Sequence, residues 1–85
     1  MKTYLGEEGL NKTWQEDFPR TTKCYKCKGE ARIMFVALEN REEKKHICDL
    51  HENKGEGDYW FHDCIAIASY LCRKCFEATA LVNQA

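Results

Sequence analysis

Six cysteines, at positions 24, 27, 48, 64, 72 and 75 of an 85-residue chain, limit what this sequence can fold into more than any other feature. In so short a chain they either close disulfides or give thiolates to a metal, and spacing together with compartment separates the two. The first stretch, MKTYLGEEGLNKTW, has no hydrophobic signal core, and no apolar run approaches the roughly 18–20 residues that cross a bilayer. The expectation is therefore a cytoplasmic chain with no membrane contact and with reduced thiols, so metal is favoured over disulfides.

The spacing supports this. Cys24-Tyr-Lys-Cys27, followed by Lys28-Gly29, places two sulfurs where both reach one ion at about 2.3 Å, with the backbone amides after them turning in to hydrogen-bond sulfur. A glycine just after the pair eases that turn. Cys72-Arg-Lys-Cys75 repeats the interval, with Phe76-Glu77 where a glycine is common, and Cys48-Asp-Leu-His51 offers a thiolate and an imidazole at the same interval. Any two of these half-sites complete a four-coordinate site, so the candidate ligands are Cys24, Cys27, Cys48, His51, Cys72 and Cys75. Cys64, His46 and His62 read as a small buried hydrophobe and two ordinary histidines. A thioredoxin-type redox pair is disfavoured because neither CxxC sits in a βαβ pattern.

Length allows one domain, since two would each be too small to hold a core. Hydrophobic residues make up 44% of the chain and charged residues 32%, which excludes a disordered segment, and there is no repeat or low-complexity tract. Along the chain, Leu10, Trp14 and Phe18 recur every four residues and predict a short amphipathic helix between Leu5 and Phe18, ending before Pro19. Residues 31–38, Ala-Arg-Ile-Met-Phe-Val-Ala-Leu, predict a strand, and the polar cluster 39–45 predicts a hairpin turn returning a second strand through His46-Ile47-Cys48. That return would carry Cys48 and His51 to the first pair. Residues 51–58 read as a charged, glycine-containing loop. Residues 59–71 fit either period, and strand is preferred for Ile-Ala-Ile-Ala-Ser-Tyr. Along a strand Cys64 lies about 26 Å from Cys72, which separates it from any site that Cys72 joins. The tail 76–82 reads as a last strand or a short helix, and 83–85 as frayed. The division is thus 1–23, an N-terminal helix and lead-in, then 24–82, one metal-centred domain.

The run Cys24-x2-Cys27-x-Gly29-x-Ala31, a hairpin, and Ile47-Cys48-x2-His51 resembles the small zinc-ribbon and treble-clef families, and Cys72-x2-Cys75 entered from Tyr70-Leu71 is similar to the second half of a zinc ribbon. The resemblance implies a small metal-stabilised domain, mainly antiparallel β with a short N-terminal helix, or alternatively an α+β treble clef with a C-terminal helix. It implies zinc, one ion or two. Two departures bear on which half-sites pair: the long interval between Cys27 and Cys72, and the missing glycine after Cys75. The set Cys24, Cys27, Cys48 and His51 is favoured over Cys24, Cys27, Cys72 and Cys75, because a simple meander delivers Cys72 to the far end of the sheet.

The function expected is a non-enzymatic zinc-binding module with structural zinc, mediating protein interaction through exposed aromatics such as Tyr59, Trp60 and Phe61. Enzyme activity is not expected: Asp49 and Glu52 flank the CxxH, but acidic neighbours are common in a chain this charged. The alternative is nucleic-acid binding, with Arg20, Lys23, Lys26, Lys28 and Arg32 around the first pair, Arg73 and Lys74 in the last, and Tyr25 and Tyr70 as stacking surfaces. Against it stands a formal net charge of -1, with the cations offsetting a thiolate centre instead. A third reading is rubredoxin-like electron transfer by iron in a four-cysteine site, which a histidine ligand would exclude.

Overall fold

The structure, a computed structural model, describes residues 2–13, 16–39 and 65–84. Among these residues five strands form one antiparallel sheet: β1 (Lys2–Leu5), β2 (Thr21–Lys23), β3 (Glu30–Leu38), β4 (Ile65–Cys72) and β5 (Ala78–Gln84). The order is β1-β3-β4-β5, and β2 shares the β1 side of β3. β1 pairs with Phe35–Leu38 and β2 with Glu30–Arg32, so the two short strands lie end to end along one edge of β3. The mainly antiparallel β architecture agrees with the sequence reading.

The pleat explains which side chains go inside. On β4, Ala66, Ala68, Tyr70 and Cys72 alternate and are fully buried, while Leu71 is exposed. Their partners on β3 are Leu38, Val36, Ile33 and Ala31. Ile33 and Val36 can face the same way only because the register shifts between Ile33 and Phe35, a β-bulge that takes up one residue and restores the inward set. Bulges have no clear mark in a sequence whose apolar run is continuous, as this one is from Ile33 to Leu38.

Across this face lies the N-terminal segment, and here the predicted helix over Leu5–Phe18 is corrected. Lys2–Leu5 is a strand, Gly6–Gly9 a single 3-10 turn, and no α-helix occurs among the described residues. Gly6 takes the left-handed conformation, φ +58, which ends β1 and turns the chain over the sheet. Further on, the Phe18 N–H bonds the Leu10 carbonyl at 2.9 Å, a loop closure with no place in a helical ladder. The apolar spacing still marked burial: Phe18 is buried and Leu10 packs on the core, while Trp14 lies outside the described residues. Tyr70 donates to the Pro19 carbonyl at 2.7 Å and Asn83 Nδ2 to the Glu16 carbonyl at 2.9 Å, pinning the segment down.

Gly9 is where this cover comes closest to the sheet. A Cβ there would stand 2.6 Å from Val36 Cβ and 2.9 Å from Tyr4 Cβ, atoms fixed to two paired strands that cannot swing aside. Gly9→Ala is therefore expected to destabilise the protein by about 1–3 kcal/mol, the usual cost of overpacking. A thermal unfolding midpoint unchanged from the parent would show that the cover shifts freely.

The chain leaves β3 at Glu39 and returns at Ile65, and these two residues are joined. The Glu39 N–H donates to the Ile65 carbonyl at 3.0 Å, and the Ile65 N–H donates to Glu39 Oε1 at 2.8 Å. With its ends held together, a long connection costs little extra, because loop-closure entropy grows only slowly with length. The strand predicted through His46–Cys48 and the loop at 51–58 fall outside the described residues. Of residues 59–71, the part from Ile65 onward is described and is strand, as preferred. The alternative C-terminal helix of a treble clef is overturned, since Ala78–Gln84 is β5. Alternation of partly buried and exposed residues along it fits a strand with one face on the core.

Candidate metal centre

Each CxxC joins two neighbouring strands: the first links β2 to β3, the second β4 to β5. Because β4 runs antiparallel to β3 directly, with Ala31 opposite Cys72, it ends where β3 begins. That register carries the second pair to the first. The reading that Cys72 would be delivered to the far end assumed an intervening strand between the two, and pairing of β4 with β3 itself removes that assumption.

The two turns are built alike. In the first, the Cys24 N–H donates to the Gly29 carbonyl at 2.8 Å and the Lys28 N–H to the Cys24 carbonyl at 3.1 Å; in the second, the Cys72 N–H donates to the Glu77 carbonyl at 3.0 Å and the Phe76 N–H to the Cys72 carbonyl at 3.2 Å. The Lys26 N–H reaches Cys24 Sγ and the Lys74 N–H reaches Cys72 Sγ, both at 3.4 Å. The Gly29 N–H reaches Cys27 Sγ at 3.4 Å. The residue after each second cysteine is left-handed, Lys28 at φ 65 and Phe76 at φ 60. The glycine at 29 is thus one position past the left-handed residue, and its use is space: a Cβ there would lie 3.2 Å from Cys27 Sγ and 3.3 Å from Lys74 Cδ. The missing glycine in the second turn does not prevent it, since the left-handed position, 28 in one turn and 76 in the other, is occupied by glycine in neither.

Left-handed backbone is strained for a bulky aromatic residue. Phe76 is also 73% exposed, so little packing offsets the strain. Phe76→Gly is expected to stabilise the fold by about 0.5–1 kcal/mol, the relief of strain outweighing the extra freedom of glycine in the unfolded chain. A melting temperature lowered by the substitution would mean that the ring holds the turn together.

The result is four sulfurs facing one another, all within 4.8 Å. Across the turns, Cys24 Sγ lies 3.6 Å from Cys75 Sγ and Cys27 Sγ 3.4 Å from Cys72 Sγ. A tetrahedral ion with sulfur at about 2.3 Å needs edges of about 3.8 Å, so this set fits one ion with slight adjustment. Cys24 and Cys72 are fully buried, whereas Cys27 is exposed and Cys75 intermediate. Amide N–H groups of Cys75 and Lys74, aided by Cys27 Sγ, hold the Cys72 thiol down at about 6. At Cys75 the Glu77 N–H pulls the other way, but burial and the sulfurs of Cys24, Cys72 and Cys27 push it up to about 12. Without a cation, four crowded thiols cannot all ionise, and the crowding works against ionisation of Cys75. A divalent ion reverses that balance.

Contacts around the four sulfurs tie the turns together. The Tyr25 N–H donates to Thr79 Oγ1 at 3.1 Å and Lys26 Nζ pairs with Glu77 Oε1 at 3.3 Å, while Arg32 and Arg73 both reach Glu30 Oε1, at 2.8 and 3.5 Å. The hydrogen bond from Arg32 holds the Glu30 carboxyl below its usual range. Arg20 pairs with Glu7. Four of the cations read as a basic patch therefore have carboxylate partners. Nothing in the sequence marked Glu30, Glu77 or Thr79 for these contacts, because they depend on strand register.

Of the six ligands read from the sequence, the structure brings together Cys24, Cys27, Cys72 and Cys75; Cys48 and His51 lie outside the described residues, as do Cys64, His46 and His62. Comparisons with family models, with curated proteins and with solved structures find no match.

Proposed function

We propose that the protein is a non-enzymatic zinc-binding module of the zinc-ribbon kind, in which the ion is structural and the sheet it anchors serves interaction with a protein partner. The observation that carries the reading is the donor set: two like turns supply four sulfurs to one point, which leaves no open coordination position for water or substrate. Soft thiolates favour zinc over magnesium or calcium, and a closed set is the mark of a structural rather than a catalytic site. X-ray absorption of the protein as isolated tests this. Zinc with four sulfur neighbours at about 2.3 Å is the expected outcome; a spectrum that requires nitrogen or oxygen donors would overturn it.

Four cysteines are also the ligand set of a rubredoxin-like iron electron carrier, and the chain's histidines lie outside the described residues. Protein that is colourless as isolated would exclude that reading. Nucleic-acid binding is the second alternative. It draws on Tyr25, which is 59% exposed, and on Lys23, Lys28 and Lys74, which make no ion pair among the described residues. The carboxylates on Lys26, Arg32 and Arg73 weigh against it, since a phosphate backbone has to compete with them.

A further inference from the structure

The two edges of the sheet are built to different rules. On one side the edge is made of β1 and β2, four and three residues long, separated by the segment that crosses the sheet and carrying the exposed lysines Lys2 and Lys23. Short, interrupted, lysine-bearing edges resist pairing with another chain. On the other side lies β5, seven residues reading Ala-Thr-Ala-Leu-Val-Asn-Gln, with no charge and no proline. Its one partner among the described residues is β4. In a chain that is 32% charged, β5 has the uncharged composition of β4, Ile-Ala-Ile-Ala-Ser-Tyr-Leu-Cys, which is flanked on both sides. Apolar surface also runs out to this edge. Val82 is 49% exposed opposite Ile67, and exposed Ala78 stands opposite Leu71, itself 37% exposed.

We propose that β5 pairs with β5 of a second copy of this chain, antiparallel about a two-fold axis, so that two sheets become one. The chemistry selects this occupant. With Leu81 on the axis, Ala80 of each copy faces Val82 of the other and Thr79 faces Asn83, so no like charges meet. A charged peptide would find no complementary side chain on β5. Closure follows from the opposite edge: once both copies of β5 are paired, the outer edges of the joint sheet among the described residues are the guarded β1 and β2 sides, and growth stops at two. The inference stands apart from the identity of the metal, needing only the folded sheet.

Sedimentation equilibrium of the metal-loaded full chain, with reductant present to prevent thiol cross-links, tests it over ~10 µM to ~1 mM. The expected result is a mass rising to that of two chains and no further, with amide exchange in β5 slowing as concentration rises. Val82→Lys, placed at an exposed position away from the cysteines, is expected to weaken association about tenfold while metal content and far-UV circular dichroism stay unchanged. Val82→Thr should retain it. A single-chain mass at every concentration, association indifferent to Val82→Lys, growth beyond two chains, or β5 amides already fully protected in dilute solution would each overturn the proposal.

Discussion

Removing the ion with a strong chelator is expected to unfold the protein, with loss of its dispersed amide resonances and its cooperative melt. The reason lies in what fills the core. Among the described residues, apart from Tyr70 and Val36, the fully buried side chains are alanines, at 31, 66 and 68, and the cysteines Cys24 and Cys72 themselves. Burying a large aliphatic or aromatic side chain contributes about 1.5–3 kcal/mol, and alanine far less, so these side chains, even with the nearly buried Phe18 and Ile65, offset only part of the chain entropy. Structural zinc sites contribute about 10–16 kcal/mol in apparent binding energy, which matches or exceeds the whole stability of a small domain. Metal-free protein that melts like the loaded form would refute the structural role of the ion.

Acid should act as the chelator does, because protons compete with the metal for sulfur. In the folded arrangement of the four sulfurs, taken without the ion, the signs differ by residue. Cys72 is held at about 6 against an ordinary 9.0, so its contribution to the fold is present above pH 9 and is lost as pH falls towards 6. Cys75 is raised to about 12, so its contribution is present below pH 9 and is lost as pH rises towards 12. In the unfolded metal-free chain the thiols titrate near their ordinary 9.0, so at pH 8 most of them still carry a proton. Zinc uptake in weakly buffered solution at that pH should release at least one proton per ion, and binding should weaken steeply below about pH 6.

The second large effect separates the ligand sets. Cys72→Ser is expected to abolish stoichiometric zinc binding and, with it, the folded state, while Cys48→Ser should retain one zinc per chain. Removing one of four thiolates opens the site and withdraws much of the folding energy the ion supplies. Cys24→Ser should behave as Cys72→Ser does, since the two occupy equivalent places in the two turns. Metal analysis with an unfolding melt reads both quantities. Zinc kept by Cys72→Ser and lost by Cys48→Ser would reinstate the set that the sequence favoured.

What could be read without coordinates was local. Two CxxC intervals mark turns able to bind a metal because a tetrahedral ion fixes how far apart along the chain its ligands can lie, and strand character at 31–38, and the preference for strand over 59–71, of which 65–71 is described, follow from apolar, β-branched and aromatic composition. Leu10 and Phe18 were legible as core residues, but their four-residue spacing suggested a helix. Gly6 in the left-handed region and Gly9 pressed on Val36 made a turn and a close-packed cover there instead, a tertiary demand overriding a local period.

The pairing of the half-sites belonged to the other kind of information. Ligands far apart in the chain meet only through strand order, and nothing in the residues at 24–27 or 72–75 states that β4 lies directly against β3 with Ala31 opposite Cys72. The bulge near Met34, the joined ends at Glu39 and Ile65, and the carboxylates that meet the cations are of this class too. The sequence by itself determined that thiolates would gather in pairs, since that is a matter of short backbone geometry. Only the tertiary structure decided which pairs share a point in space, because register is set by the summed packing of whole strands.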